Sequence, residues 1–457
     1  MIKRFIRRVL RLGKGAAPTV VPRKEHGISR EMISYGARKV CEVLASRNHE
    51  AYVVGGAVRD LMLGIQPKDF DVATDATPEE VHRHIRRSRL IGRRFKLVHA
   101  VFNDEIVEVS TFRAVNVQAN DAGETGAHAD QAVDIHGRLT RDNVYGNREQ
   151  DAARRDFTIN ALYYDPATET VLDYHQGVRD LKKRTLRVIG DPRVRFREDP
   201  VRMLRAVRLG AKLDFRIDPK TRAPIREMAD LMANVPPARL FDEMLKLLLS
   251  GHASACLHRL RTEGLHHGLL PLLDVIFEQP LGEKFVNLAL EQTDRRIRED
   301  RPVSPAFLFA ALLWHEVLAA WKVREAKRTS RIPALYAAMD EVLDMQTDKL
   351  AIPRRLTTTM KEIWSLQPRF ENRSGRRPFA LLEHPRLRAG YDFLTLRVDS
   401  GEAPREIAEW WRRFMEGTPE ERADLLLPTP KGEQKPRRRR RGKKKPADAG
   451  APPASAD

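Results

Sequence analysis

The stretch from Ala51 to Asp71 restricts the fold of this 457-residue chain more than any other part of the sequence. It predicts a short apolar strand, the glycine pair Gly55–Gly56, a helix, and a second strand in which Asp69 and Asp71 flank Phe70. Glycines at the start of a helix let backbone N–H groups approach a phosphate closely. Side chains alternate between the two faces of a strand, so we expect both aspartates on one face and Phe70 in a core. This order predicts a small mixed sheet with an anion site beside two carboxylates.

Two carboxylates this close together repel each other unless a cation lies between them. Mg²⁺ is the expected cation, because it takes one or two carboxylates and completes its shell with water and nucleotide phosphates. Asp69 and Asp71 are therefore predicted to be catalytic metal ligands in a two-metal site for phosphoryl or nucleotidyl transfer. An Asp-x-Asp pair alone is common at solvated strand edges, so this interpretation depends on the strand and glycines that precede it.

Glu108 is a candidate third carboxylate on the metal side. Strands are predicted over 95–102 and 105–112, with Asn103–Asp104 as a two-residue hairpin turn between them. Val107 and Val109 share one face of the second strand, and Glu108 points to the other. Glu108 is catalytic if that face also carries Asp69 and Asp71; otherwise it is a solvated strand residue.

An ordered set of motifs over about residues 30–250 resembles the class II nucleotidyltransferases of the polymerase β-like superfamily, which comprise bacterial poly(A) polymerases and tRNA CCA-adding enzymes. The motifs are Gly55-Gly56-x-x-Arg59-Asp60, Asp69-x-Asp71, Arg154-Arg155-Asp156-Phe157-Thr158-Ile159-Asn160-Ala161-Leu162, Asp173-Tyr174 to Asp180-Leu181, and Arg197-Glu198-Asp199-Pro200-Val201-Arg202-Met203-Leu204-Arg205-Ala206. Beyond residue 250 the likeness is limited to helical character.

The resemblance implies template-independent addition of AMP from ATP to RNA 3′ ends, including mRNA ends, where polyadenylation promotes decay. It implies that Asp69 and Asp71 hold two Mg²⁺ ions, that Arg155 contacts the triphosphate, and that Asp156 and Asn160 contact the ribose or order the site. Asp156 is also counted among the family's catalytic carboxylates; the alternative interpretation is a helix N-cap for the following segment. The residues implied to bind the nucleotide are Gly55, Gly56, Arg59, Arg155, Asn160, Asp199, Arg202 and Arg205.

Glu198-Asp199-x-x-Arg202 resembles the family's base-reading motif. Asp199 and Arg202 are three positions apart, so on a helix they would share a face. A carboxylate accepts from an exocyclic amine and a guanidinium donates to a ring nitrogen, an arrangement that suits adenine and cytosine alike. This pair therefore leaves poly(A) and CCA addition both open. Arg205 and Arg208 continue the spacing and line a cleft for phosphates, or else form a solvated helix face.

Two segments favour poly(A) addition over CCA addition. Residues 90–99, which contain Arg93, Arg94 and Lys96, and residues 236–243 both resemble members of the poly(A) type. His315 lies in an apolar helix without a surrounding histidine cluster, so we interpret it as a core or helix-surface residue rather than part of a phosphohydrolase site. A non-catalytic RNA-binding protein is the third hypothesis, and the complete set of acidic residues counts against it.

The formal net charge of +19 indicates a polyanionic partner. Residues 1–24 hold eight basic and no acidic side chains, and residues 431–457 hold ten basic and three acidic ones. Such ends are solvated disordered arms, RNA-binding arms, or both. Together with Arg93, Arg94, Lys96 and Arg208, the RNA-binding candidates are Arg437, Arg438, Arg439, Arg440 and Arg441.

A cytoplasmic location is expected. The two cysteines, Cys41 and Cys256, have no metal-ligand spacing and fit a reducing compartment. No uninterrupted apolar run approaches the ~18–20 residues needed to span a bilayer, so no stable membrane insertion is expected. Protein partners are not indicated by the sequence.

The predicted fold class is α+β: a polymerase β-like head with a small mixed sheet, then all-helical neck and body domains and a disordered basic tail. The expected divisions are a basic arm (1–28), a catalytic head (29–165), a neck with the base-reading and RNA-binding motifs (166–250), a body (251–427) and the tail (428–457).

Overall fold

The computed structural model describes residues 17–92, 96–114, 131–133, 139–142, 144–267, 280–327, 330–347 and 349–428. The predicted α+β class, with a mixed-sheet head followed by helical domains, is confirmed. The strands are β1 (Thr19–Pro22), β2 (Ala51–Val54), β3 (Asp71–Thr74), β4 (Ser88–Ile91), β5 (Leu97–Phe102), β6 (Glu105–Thr111), β7 (Gln131–Val133), β8 (Leu139–Asp142), β9 (Leu162–Asp165), β10 (Thr170–Asp173), β11 (Thr185–Leu186) and β12 (Arg216–Ile217).

Helices dominate the chain after residue 173. They are α1 (Arg23–His26), α2 (Tyr35–Ala45), α3 (Gly56–Met62), α4 (Pro78–His84), α5 (Arg148–Arg154), α6 (Gly177–Lys182), α7 (Pro192–Glu198), α8 (Val201–Lys212), α9 (Pro219–Glu227), α10 (Pro237–Leu248), α11 (Ala253–Thr262), α12 (Pro280–Arg298), α13 (Pro305–Ala326), α14 (Arg331–Thr347), α15 (Arg354–Leu366), α16 (Arg377–Leu382), α17 (Leu387–Ser400), α18 (Arg405–Glu416) and α19 (Pro419–Asp424). Short 3₁₀ turns occur at Arg30–Met32, Thr158–Asn160, Ala229–Asn234 and Gln367–Arg369.

The head is organised around a sheet with the strand order β1-β10-β9-β2-β3-β6-β5-β4. Neighbouring strands are antiparallel except β3 and β6, which run parallel. The predicted hairpin is present between β5 and β6, and Asn103 adopts a positive φ of 47° at its turn. The parallel pair matters most for function, because it brings residues from two distant segments into register.

The sheet extends beyond both boundaries expected for the head. Thr19–Pro22, within the expected basic arm, pairs antiparallel with β10 as an edge strand and buries Val21. The strand β10 itself lies after residue 165. The expected divisions at residues 28 and 165 therefore both cut through this sheet. A four-residue strand with one buried side chain carries little periodic signal, which is why basic composition concealed it.

In the body, α13 packs against α12, α14, α15 and α17. Among the described helices it is the one whose length and composition would suit a membrane span, but 61% of its most apolar stretch is buried inside the protein. It is therefore the central helix of the body core. His315, on α13, is buried beside the Phe285 ring at a centroid distance of 5.2 Å, as expected for a core histidine.

Candidate active site

The turn between β2 and α3 forms one wall of a cleft. Gly55 has φ 72° and ψ −131°, a conformation that side chains rarely adopt. A Cβ added at Gly55 would lie 3.4 Å from Arg155 Nη1 and 4.0 Å from Asp71 Oδ2. The backbone conformation therefore favours glycine here, and a guanidinium and a carboxylate lie in van der Waals reach of the turn.

The acidic side of the cleft is built by the parallel strands β3 and β6. Their register pairs Asp71 with Glu108, and the following pair, Val72 with Val109, is buried on the other face. Glu108 therefore shares a face of the sheet with Asp71, and its catalytic role stays a prediction. The strand begins only at Asp71, so Asp69 precedes it rather than forming part of it, yet both aspartates line the cleft. Phe70 is buried, as expected.

Asp71 lies in a crowded, negatively charged part of the cleft. Partial loss of hydration between the cleft walls, the charge of Glu108 and the charge of Asp69 raise the pKa of Asp71 to about 6, while Arg155 acts to lower it. A carboxyl with a raised pKa beside two others is a site that a cation would stabilise. Within the described residues, no cluster of three or more His, Cys, Asp or Glu side chains is already arranged to enclose a metal. Mg²⁺ fits this open donor set, because it needs few carboxylates and keeps water and phosphate ligands.

The cleft has a volume of about 850 Å³ and lies between the head and the neck. The head supplies Asp69, Asp71, Glu108 and Arg155, and α8 supplies a row of basic side chains to the same cleft. That row consists of Arg202, Arg205, Arg208 and Lys212. The three spaced arginines therefore line a cleft, and their binding of phosphates there stays a prediction.

Asp156 lines the cleft, and both of its carboxylate oxygens accept hydrogen bonds from neighbouring protein groups. Its Oδ2 accepts from Arg205 Nε at 2.8 Å and Nη2 at 2.5 Å, and its Oδ1 accepts from the Phe157 N–H and from Asn160 Nδ2. Burial alone would raise its pKa, but the charge of Arg205 and the donated hydrogen bonds outweigh burial and lower the pKa to about 2. Asp156 is thus ionised at neutral pH and ties the head to the neck.

Arg59 and Asn160 extend this network through the head. Arg59 is buried, donates from Nη1 to Asn160 Oδ1 at 2.7 Å, and pairs with Asp60 at 2.7 Å. Asn160 therefore bridges Arg59 and Asp156. Both residues line the cleft, and their principal contacts are with other protein side chains.

The two base-reading candidates do not share a helical face. Asp199 follows α7 with φ −151° and ψ 92°, and α8 begins only after Pro200. A residue that precedes proline is disfavoured in helical conformation, which explains the break. Asp199 Oδ2 accepts from Arg239 Nη2 at 2.7 Å, whereas Arg202 Nη1 donates to Glu198 at 3.1 Å and to the Arg195 carbonyl at 2.7 Å. The expectation of a shared helix face is wrong, although both side chains line the same cleft.

Comparison with known proteins decides the family. The model for the poly A polymerase head domain matches residues 51–187, that for the probable RNA and SrmB-binding site of polymerase A matches 214–277, and that for the polymerase A arginine-rich C-terminus matches 327–445. Poly(A) polymerase I of Salmonella typhi is 45% identical over 414 residues, which cover 89% of this chain and 88% of that protein. Poly(A) polymerase I of Haemophilus influenzae is 44% identical, covering 92% and 95%.

The chain belongs to the bacterial poly(A) polymerase family. The prediction of a polynucleotide adenylyltransferase is thereby confirmed at the level of the family.

The CCA-adding enzymes are more distant relatives of this poly(A) polymerase family member. The CCA-adding enzyme of Bacillus subtilis is 36% identical over 224 residues, about half of each chain. The crystal structure of the Bacillus stearothermophilus CCA-adding enzyme in complex with CTP superposes with a TM-score of 0.54 at 26% identity, covering 83% of this chain and 81% of that one. The head and neck architecture is therefore shared across both activities.

Several cleft residues were missed by the sequence interpretation of this family member. Arg239, Glu243 and Lys246 of α10, Lys212 of α8 and His99 of β5 all line the cleft. Glu243 is buried and lies 3.6 Å from Arg208 Nη2 and 3.1 Å from Lys246 Nζ. Arg239 and Glu243 lie in the segment 236–243, whose resemblance to the poly(A) type is the signal that could have identified them.

The residues expected to bind RNA are only partly within the described structure. Lys96 contacts Glu79 at 3.1 Å on the exposed side of the head, and Arg208 lies in the cleft. Arg93, Arg94 and Arg437–Arg441 lie outside the described residues. Their contact with RNA stays a prediction.

Proposed function

We propose that this protein adds AMP from ATP to the 3′ ends of RNA in the cytoplasm, with Asp69, Asp71 and Glu108 on the metal side of the cleft. One observation carries the assignment. The register of β3 and β6 pairs Glu108 with Asp71, and the cleft that these carboxylates line with Asp69 is also lined by the basic row of α8. A cleft lined by both carboxylates and basic side chains suits a metal-bound triphosphate, because the carboxylates hold the cation and the basic groups neutralise the phosphates.

The side chains divide the work of binding and orientation. Arg155, against the Gly55 turn, contacts the triphosphate, and the Gly55–Gly56 backbone allows the phosphates to approach. Asp69 and Asp71 hold Mg²⁺, which when bound activates the RNA 3′-hydroxyl and neutralises the departing pyrophosphate. Asp156, Asn160 and Arg59 form the network that fixes the ribose end of the cleft, and Arg205 holds Asp156 in place.

Base selection falls to Asp199 and Arg202. Asp199 accepts from the exocyclic amine of adenine, and Arg202 donates to its ring nitrogen. Arg239 donates to Asp199 and Arg202 donates to Glu198, so a neighbouring side chain restrains each of the two base-reading residues. Primer RNA contacts Arg208 in the cleft. Outside the cleft, the RNA is bound by Arg93, Arg94, Lys96 and the arginine run 437–441.

An extension assay tests the function directly. Purified protein with Mg²⁺ is given either a generic 3′-hydroxyl RNA or a tRNA that lacks its CCA end, with ATP alone, CTP alone or both. We expect long A-only ladders on the generic RNA. Addition that stops after C, C and A on the tRNA would favour the CCA-adding alternative, which shares the fold and a base-reading pair compatible with cytosine. No incorporation in any lane would favour a non-catalytic RNA-binding protein.

The arginine run 437–441 is expected to contribute a salt-dependent, sequence-independent part of RNA affinity. Replacing all five arginines with glutamine should weaken RNA binding and flatten the dependence of log Kd on log salt by about 2 or more, since each phosphate contact on a single strand contributes about 0.7. The matched control replaces the same five arginines with lysine, which keeps the charge and should keep the slope. An unchanged slope in the glutamine variant would show that this run does not contact phosphate.

A further inference from the structure

Two residues that do not line the cleft, Asp151 and Tyr163, form hydrogen bonds with the Arg155 guanidinium. Asp151 Oδ2 accepts from Arg155 Nη2 at 3.1 Å and from Arg155 Nε at 3.3 Å. The Tyr163 hydroxyl accepts from Arg155 Nε at 3.0 Å and donates to the same Asp151 oxygen at 2.6 Å. The third guanidinium nitrogen, Nη1, lies on the side of the Gly55 turn and donates one long hydrogen bond to the Asn160 carbonyl at 3.4 Å. Side chains therefore hold Nε and Nη2, while Nη1 has a single weak contact and lies beside the glycine turn.

Both supporting residues are rigidly placed. Tyr163 is fully buried on β9, where it pairs with Val54, the last residue before the glycine turn. Asp151 is buried within α5, and Arg155 follows the end of that helix. At the other end of α5, Arg148 donates to the Tyr174 hydroxyl at 2.7 Å and lies over the Tyr52 ring at 4.9 Å. Sheet tyrosines thus anchor α5 at both ends.

We propose that Asp151 and Tyr163 are positioning residues that direct the Arg155 guanidinium toward the triphosphate of the incoming nucleotide. This inference rests on the proposed function, in which Arg155 contacts the triphosphate. A free arginine samples many rotamers, and a guanidinium that is already oriented loses less conformational freedom when it binds phosphate. The supports act before substrate arrives, so they raise affinity for ATP rather than accelerate the chemical step.

The experiment compares Tyr163→Phe and Asp151→Asn with two reference variants in the full-length enzyme. Arg155→Gln tests whether Arg155 itself binds the triphosphate. Tyr164→Phe is the matched control: it removes the neighbouring tyrosine hydroxyl, which is buried on the other face of β9 and has no hydrogen-bond partner among the described residues. Tyr163→Phe is the more informative variant, because Asp151 Oδ1 also accepts from the Arg113 N–H at 3.3 Å.

The readouts are KM for ATP, KM for RNA, kcat, and inhibition by inorganic tripolyphosphate, which probes phosphate binding without base or ribose. We expect Tyr163→Phe and Asp151→Asn to raise KM for ATP and the Ki of tripolyphosphate by about tenfold, the scale of one hydrogen bond to a charged group. The kcat value and KM for RNA should change less than about threefold. Combining either variant with Arg155→Gln should add nothing further, because the support has no guanidinium left to orient.

Two outcomes separate failure of the inference from failure of the proposed function. If Arg155→Gln raises KM for ATP and the Ki of tripolyphosphate while Tyr163→Phe leaves both unchanged, Arg155 serves the triphosphate without this support and the positioning role is overturned. If Arg155→Gln itself leaves both values unchanged, the triphosphate role of Arg155 in the proposed function fails, and the inference fails with it. If Tyr164→Phe raises KM for ATP and the Ki of tripolyphosphate as much as Tyr163→Phe does, the effect comes from general loosening of β9. That result would also overturn the positioning role.

Discussion

Replacing Asp71 with asparagine should lower the rate of AMP addition by about a thousandfold or more while leaving the protein folded. Metal ions stabilise transition-state charge by several kcal/mol, and each 1.4 kcal/mol changes a rate about tenfold. Asparagine keeps the shape of the side chain but removes the negative charge that Mg²⁺ requires. Single-turnover extension of a 3′-hydroxyl RNA with ATP measures the loss.

The same substitution should leave the metal-free protein at least as stable as the wild type. In the folded protein, lost hydration and the charges of Glu108 and Asp69 raise the pKa of Asp71 to about 6. A raised carboxyl pKa means that the ionised form is disfavoured by folding at neutral pH, so removing the charge relieves this cost. Activity and thermal stability should therefore move in opposite directions. Loss of activity together with a large fall in melting temperature would point to a structural role and away from the metal assignment.

Asp104→Asn is the matched control for Asp71→Asn. Asp104 is exposed at the turn between β5 and β6, in the same sheet but outside the cleft. The same change of charge at that position should leave extension rates within about twofold of the wild type, because exposed charges outside a site contribute little. Turnover retained in Asp71→Asn would contradict the metal assignment outright.

Replacing Arg205 with methionine should destabilise the protein by about 2 kcal/mol at neutral pH. Arg205 is the main group that lowers the pKa of Asp156 to about 2, and its loss leaves a buried carboxylate without its cation. A pKa depressed from about 3.9 to about 2 corresponds to roughly 2 kcal/mol of folding stability. The arginine side chain is 33% exposed, which keeps the effect below that of a fully buried pair.

The pH dependence of this effect has a defined direction. Because the folded pKa of Asp156 is depressed, its contribution is complete above the unfolded value of about 4 and is lost as the pH falls toward 2. The difference in urea midpoint between Arg205→Met and the wild type should therefore be constant from pH 7 to pH 5 and shrink below pH 4. The control is Arg197→Met, an exposed arginine on the preceding helix, which should shift the midpoint little at any pH. A difference that does not change with pH would show that Arg205 acts through packing rather than through Asp156.

Local patterns in the sequence predicted which carboxylates form the acidic wall of the cleft. Alternation along β6 placed Glu108 opposite Val107 and Val109, and only the pairing with β3 had to be supplied by the structure. The Asp156–Arg205 ion pair joins positions 49 residues apart, and no periodicity encodes such a contact. The break between Asp199 and Arg202 was readable from Pro200, because proline restricts the residue before it. The resemblance to a helical base-reading motif concealed that local signal.

The cleft is assembled from residues as far apart in the chain as Gly55 and Lys246. The Arg59–Asn160 bond alone spans 101 positions. Contacts between such distant positions form late in folding, because a long loop must close before they are made. At about 5–20 residues per second, a ribosome needs roughly 10–50 s to synthesise the first 246 residues. A nascent chain therefore carries the acidic pair of the head well before it has the arginines of α8 and α10, and the cleft is incomplete until Lys246 has been added.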